Sequence, residues 1–144
     1  MDTFTTEKRS EIMSCVPSKN TKPEEFVRKY LFSQGFRYRK NDKRYPGTPD
    51  IVLPKYRTVV FVNGCFWHQH PGCRKATIPA AHHDYWKAKL NRNVERDKEE
   101  INKLREMGWR VIIVWECEIA SKVKRKQRLP ELADEIKSAT LLDK

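Results

Sequence analysis

Apolar positions recur along this chain with two different periods, and the alternation between them predicts the elements. Phe26, Val27, Tyr30 and Leu31 share one face of a helix. They follow Thr21-Lys22-Pro23-Glu24, a capping box with an early proline, and Gly35 supplies the stop. A longer helix is predicted from about Asp84 to Met107, closed by Gly108, along the stripe Trp86, Leu90, Val94, Ile101 and Leu104. Asp97 falls inside that stripe, where an apolar residue is expected. Glu7 to Met13 reads as a further short helix.

Ile51-Val52-Leu53 and Thr58-Val59-Val60-Phe61-Val62 are continuous apolar runs joined by Pro54-Lys55-Tyr56-Arg57, which predicts a hairpin of strands buried on both faces. Trp109 to Trp115 predicts a third such strand, and Phe36 to Lys40 alternates as an edge strand does. The long helix between Val62 and Trp109 is a natural right-handed crossover, so the strands it joins are expected to be parallel and adjacent. The result is an α/β sandwich with a small mixed sheet. There is no internal repeat and no glycine-rich phosphate loop; the chain holds only five glycines.

At 144 residues the chain is expected to form one domain, residues 1–144, with a helical C-terminal segment over 118–144. No apolar run approaches the ~20 residues that span a bilayer, the longest reaching only from Val111 to Trp115. Met1 to Lys8 lacks the basic-then-apolar layout of a secretory signal. A membrane-embedded or secreted protein is therefore not expected. Lys and Arg number 30 against 19 Asp and Glu, a net charge of +11 that serves either solubility alone or attraction to a polyanion. Clustering favours the polyanion. Arg37, Arg39, Lys40, Lys43 and Arg44 surround Phe36 and Tyr38, and Lys122 to Arg128 carries five more basic residues.

Four cysteines without a signal peptide argue for metal rather than disulfides. Cys65, His68, His70 and Cys73 lie in one loop, and the crossover topology brings Cys117 beside it. Tetrahedral zinc suits such donors. Five candidates serve four positions: Cys65, His70, Cys73 and Cys117 make a complete set that frees His68, and spacing alone equally allows His68 to ligate in place of His70. Phe66 and Trp67, between the ligands, either stack on or wedge between bases, or form the loop's own small core.

Asp50 ends Tyr45-Pro46-Gly47-Thr48-Pro49-Asp50 at the mouth of a buried strand. It is either a turn residue or, with Glu24 and a free His68, equipment for phosphodiester hydrolysis around Mg2+. Glu24 has an alternative task as the capping-box acceptor. Asp97 either pairs with an arginine or faces the site.

These residues resemble a known family. Tyr45-Pro46-Gly47-Thr48-Pro49-Asp50, Phe61-Val62-Asn63-Gly64-Cys65-Phe66-Trp67-His68, Asn93-Val94-Glu95-Arg96-Asp97, and Gly108-Trp109-Arg110-Val111 through Val114-Trp115-Glu116-Cys117 are similar to the very short patch repair (Vsr) endonucleases, from about Lys8 to Cys117. The resemblance implies a restriction-endonuclease-like, PD-(D/E)xK-type mixed sheet flanked by helices, with a structural zinc site. It implies Mg2+-dependent nicking of duplex DNA 5′ to the T of a T:G mismatch left by 5-methylcytosine deamination. By the same resemblance Asp50 and the Val62 carbonyl hold Mg2+, His68 and Glu24 serve catalysis, and Cys65, His70, Cys73 and Cys117 hold zinc. Phe66 and Trp67 would enter the duplex from the major groove, and Met13, on an N-terminal DNA-contacting arm over 1–20, from the other; Arg37, Arg39 and Lys40 would bind the backbone. The implied setting is a monomer at the nucleoid of a bacterial cytoplasm, linked to a DNA cytosine methyltransferase and to repair polymerase and ligase. Two features depart from the family pattern: Val62-Asn63 stands where Thr-His is frequent, and Pro71-Gly72 lengthens the zinc loop by one residue. Two other classes share much of this equipment, a restriction-type nuclease on matched or modified DNA and a non-catalytic zinc-stabilised DNA-binding module.

Overall fold

The computed structural model describes residues 21–142, with side chains to residue 138. The expected Glu7–Met13 helix, Met13, Cys15 and the whole 1–20 arm lie outside the described residues. Helix α1 (Lys22–Ser33) starts where the capping box places it, with Thr21 Oγ1 accepting from the Glu24 N–H at 3.5 Å and Pro23 in the first turn. Strands β1 (Arg39–Lys40), β2 (Ile51–Leu53) and β3 (Thr58–Asn63) follow, with a 3-10 turn at Pro54–Tyr56 between the last two. Helix α2 (His83–Glu106) then crosses over to β4 (Arg110–Trp115), and a second 3-10 turn (Glu116–Ile119) leads into α3 (Lys122–Leu142).

The sheet runs β1-β2-β3-β4, antiparallel except for the parallel β3–β4 pair that the crossover predicted. It is a four-stranded mixed sheet with helices on both faces. Alternation through β2 and β3 sends Ile51, Leu53 and Val60 to the face packed by α1 and α3, with Val27, Leu31, Leu132 and Ile136. Val52 and Val59 face α2 and Leu104, with Tyr45, Phe61 and Trp109 around them. Both hairpin strands are thus buried on both sides, as their unbroken apolar runs required.

β4 departs from the expected two-faced burial. Ile112 and Val114 are buried, whereas Val111 and Ile113 are only partly so. β4 is an edge of the sheet, and only α2 lies over its second face. The expected edge strand over Phe36–Lys40 shortens to two residues because Phe36 turns into the core beside Leu31. On α2, Trp86, Leu90 and Leu104 are buried as the stripe predicted, and the helix begins one residue earlier than expected, at His83.

Gly47 shapes the approach to β2. It has φ +78°, and an added Cβ would stand 2.7 Å from a Glu100 carboxylate oxygen and 3.2 Å from the Phe61 ring. Gly35, the predicted stop of α1, also has positive φ, but its missing Cβ points into open space. Gly35→Ala should therefore cost only the backbone strain, about 1 kcal/mol. Gly47→Ala should cost clearly more, roughly 2–3 kcal/mol, because strain and crowding add. Urea unfolding of the two variants checks the order.

Candidate active site and metal cluster

The parallel pairing of β3 with β4, in the register Asn63 opposite Trp115, carries the segments after both strands to one end of the sheet. The loop after β3 holds Cys65, His70 and Cys73; the turn after β4 holds Cys117. Their donor atoms all lie within 4.8 Å of one another. Cys65 Sγ and Cys117 Sγ stand 3.7 and 3.4 Å from His70 Nδ1. Zinc bonds of about 2.3 Å to sulfur and about 2.05 Å to nitrogen, opened to the tetrahedral angle, give an S···N edge of about 3.6 Å. The four residues therefore have the donor chemistry and spacing to hold a metal such as zinc, through His70 Nδ1.

The surroundings fix these ligands. The His70 ring stacks on Trp115, centroids 4.2 Å apart at 11°. The Cys65 N–H donates to Glu116 Oε1 at 3.3 Å, and the His70 N–H closes a turn on the Cys65 carbonyl. Burial pushes the Cys65 thiol up to about 12 and raises Cys117 as well, whereas backbone N–H donors, that of Lys75 foremost, lower Cys73. A bound cation would favour the thiolates that burial alone resists. His68 stays outside this cluster, which is the first of the two solutions that spacing left open.

His68 instead turns towards α2, where its Nδ1 lies 2.6 Å from Asp97 Oδ2. A carboxylate at Nδ1 fixes the neutral ring with its proton on that nitrogen and a lone pair on Nε2. The polar interruption in the α2 stripe thus has its reason: Asp97 faces the site rather than an arginine. The fault in the apolar pattern was the signal for it.

A cleft of about 500 Å³ collects the other candidates: Glu24 from α1, Asp50 at the mouth of β2, and Val62, Asn63 and His68 from β3 and its loop, with Lys43 and Arg96 on its walls. It shares Asn63, His68 and Arg96 with an adjoining space of about 300 Å³ that is lined also by Asp97 and Glu100. Asp50 Oδ2 accepts the Val62 N–H at 2.6 Å. In an extended strand the N–H and C=O of one residue face the same edge, so the Val62 carbonyl is directed to the side on which Asp50 stands. Burial is the main cause that lifts Asp50 to about 7, and the Glu24 carboxyl adds to it, while the Val62 N–H and His68 oppose. Glu24 is itself buried and ion-paired to Arg28 at 3.3 Å. Its N–H donates to the Thr21 cap, while its carboxylate pairs with Arg28 and lines the cleft.

Phe66 and Trp67 are half-buried. Their rings lie 5.2 Å apart, and Trp86 lies 5.9 and 6.2 Å from them. Lys89 Nζ sits 5.4 Å from the Trp67 ring centre, and Asn93 donates to the Trp67 carbonyl at 3.3 Å. The aromatics are thus a small core and a part-exposed edge at once. Arg37, Arg39 and Lys40 are exposed and lie on and beside β1 rather than in the cleft; Arg37 covers Phe32 at 4.3 Å. Sequence reasoning did not assign Arg96, Asn41 or Thr48 to the cleft: Thr48 and Arg96 stand in the motif strings that carry the resemblance, but with no role attached, and Asn41 stands in none.

Comparison with known proteins accords with this geometry. A family model described as "DNA mismatch endonuclease Vsr" matches residues 1–75. The "Type II nicking enzyme V.NmeAIP" of Neisseria meningitidis serogroup A / serotype 4A is 55% identical over 138 residues, covering 96% of this chain and 98% of that protein. The "Type II nicking enzyme V.XorIIP" of Xanthomonas oryzae pv. oryzae is 45% identical over 133 residues, 92% of this chain and 97% of its own. The "DNA mismatch endonuclease Vsr" of Escherichia coli (strain K12) is 41% identical over 116 residues, 81% of this chain and 74% of its own. The chain belongs to the Vsr family of DNA mismatch endonucleases.

Proposed function

We propose that this protein is a Mg2+-dependent endonuclease that nicks one strand of duplex DNA 5′ to the T of a T:G mismatch arising from 5-methylcytosine deamination, the first step of very short patch repair. The observation that carries this reading is the one cleft in which the half-buried Asp50 carboxylate, the Val62 edge and the Asp97-oriented His68 converge. We read the sheet as restriction-endonuclease-like, with its acidic residue at the mouth of the hairpin, and residues 1–144 as one domain acting as a monomer. Residues 1–20, Met13 included, would reach the DNA as an arm. A cytoplasmic, nucleoid-associated enzyme working with a cytosine methyltransferase, polymerase and ligase fits that role, and among the described residues no helix is long and apolar enough to cross a membrane.

Asp50 and the Val62 carbonyl are the oxygen donors that would hold Mg2+, a hard cation that takes carboxylate and carbonyl oxygen. When bound it supplies charge stabilisation at the scissile phosphate. Asp50's raised pKa fits a divalent partner, since a nearby cation favours the carboxylate that burial resists. His68, with its Nε2 lone pair directed by Asp97, accepts the proton of the attacking water. Glu24 helps order the water in the cleft and keeps Arg28 folded against α1. Zinc on Cys65, His70, Cys73 and Cys117 would fix the loop that carries Phe66, Trp67 and His68. Wedging aromatics between bases costs a few kcal/mol of unstacking per step, and a wobble pair resists less than a matched one. Arg37, Arg39 and Lys40 extend the positive surface that draws in the backbone.

Nicking of end-labelled T:G and T:A duplexes of identical context, with Mg2+ or EDTA, tests the reading. Cutting 5′ to the T of T:G alone is expected; equal cutting of both would instead indicate a restriction-type nuclease, and binding without cutting a non-catalytic module. Asp50→Ala should lower the rate by about a thousandfold or more while leaving duplex binding intact. Trp67→Ala should reduce the T:G over T:A preference about tenfold, stacking being worth about 1–3 kcal/mol per base.

Zinc and pH give two further tests. Elemental analysis should find stoichiometric zinc, and Cys117→Ser should lose it together with a large drop in thermal midpoint. For Asp50 the folded-state pKa of about 7 lies above the unfolded value, so in metal-free protein the folded state holds the extra proton. That contribution is full below about pH 4 and is lost as pH rises through about 7. Asp50→Asn cannot make that loss. The stability of wild type relative to Asp50→Asn, followed by urea unfolding in EDTA, should therefore fall across that window.

A further inference from the structure

The proposed function accounts for the carboxylates and the imidazole of the cleft but not for its cations. Lys43, from the loop after β1, and Arg96, from α2, both line it. Arg96 is engaged, hydrogen-bonded to Asn93 at 3.3 Å and ion-paired to Glu100 at 3.8 Å. Lys43 lies in the loop after β1, and every neighbour in that loop is tied down. The Asn41 N–H donates to the Asp50 carbonyl at 3.2 Å. Asp42 accepts both Nε and Nη2 of Arg44, at 3.0 and 2.7 Å, in a two-pronged fork that also takes the Arg44 N–H. The fork occupies Asp42 with the arginine, and among the described residues no carboxylate pairs with Lys43. Asn41 and Thr48, on either side of the loop, are held at φ +46° and +47°, a backbone cost that the local anchoring sustains.

The loop thus holds one basic side chain closed on itself and leaves the next one on the wall of a cleft whose other charged groups on that side are Asp50 and Glu24. A lysine next to two acids would be expected to fold onto them, yet Glu24 is met by Arg28 and Asp50 by the Val62 N–H. Its remaining complement is an anion that enters from outside. We infer that Lys43 is a substrate-binding residue that holds a DNA phosphate at the catalytic cleft, positioning the strand for attack opposite His68. This inference rests on the proposed phosphodiester substrate and adds a named contact to it. Lysine suits the task as a point charge on a flexible stem, able to follow the phosphate as the duplex is distorted.

The test separates this inference from the function it rests on. Binding of a T:G duplex in EDTA is followed by fluorescence anisotropy over a series of NaCl concentrations, and single-turnover nicking is measured with Mg2+. Lys43→Gln should reduce the magnitude of the slope of log K against log [NaCl] by about one, the signature of one lost phosphate contact. It should also slow single-turnover nicking about tenfold or more through lost positioning. Lys43→Arg should restore the slope. Lys55→Gln makes the same charge change beside Tyr56, at the opposite end of the sheet, and should leave both readouts at wild-type values. A Lys43→Gln slope equal to that of Lys55→Gln overturns the inference, and so does a rate unchanged from wild type. Wild type that binds but does not nick refutes the proposed function alone, and the binding slope then decides the role of Lys43.

Discussion

The parallel hydrogen bonding of β3 to β4 is the constraint on which the rest of this molecule depends. Because the pair keeps strict register from Thr58 opposite Arg110 to Asn63 opposite Trp115, both chains leave the sheet at the same height. Cys65 and Cys117, more than fifty positions apart, then meet without any further device. The same strand end carries Val62 beside Asp50, so one register fixes the metal cluster and the acidic cleft together. A slip of one residue would invert the faces of β3 and send Val60 and Val62 to the α2 side, away from the core they fill.

Charge in the site is layered. Two carboxylates, the buried Glu24 and the half-buried Asp50, occupy the centre, and cations stand at the walls and beyond, on β1 and the loop after it. A net charge of +11 sets a long-range field, yet it is the local exceptions to that field that carry the chemistry. Asp50 sits so unfavourably as an isolated anion that burial holds it near 7, whereas Asp42, gripped by Arg44, falls to about 2. Two aspartates eight residues apart thus behave oppositely for reasons visible in their neighbours.

Much of this was legible in the sequence. Continuous apolar runs gave away β2 and β3, a capping box and a glycine bracketed α1, and four candidate donors in one loop with a fifth after β4 pointed to a group able to hold a metal. The burial of β4 was overread because an apolar run records what a strand can tolerate, not how far a neighbouring helix extends over it. Choosing between His68 and His70 needed the ring planes: His70 lies flat on Trp115, and His68 turns to Asp97. No spacing rule contains that information. Asp97 stood out from the apolar pattern as a fault in a stripe, and the place of Arg96, Asn41 and Thr48 on the cleft was not legible, because membership of a cleft depends on how loops from distant parts of the chain meet.

The loop between Gly64 and Cys73 has a consequence for the timing of events on DNA. Trp67 and His68 are neighbours in the chain, with the carbonyl of one held by Asn93 and the ring of the other by Asp97, both from the same helix. Whatever pushes the tryptophan edge moves the imidazole with it. Under the proposed function the aromatic edge and the imidazole would share one short segment, so a duplex that refuses the first would also hold the second away from its phosphate. Discrimination of that kind would be mechanical, built into the ten residues from Gly64 to Cys73 rather than added by a later checkpoint.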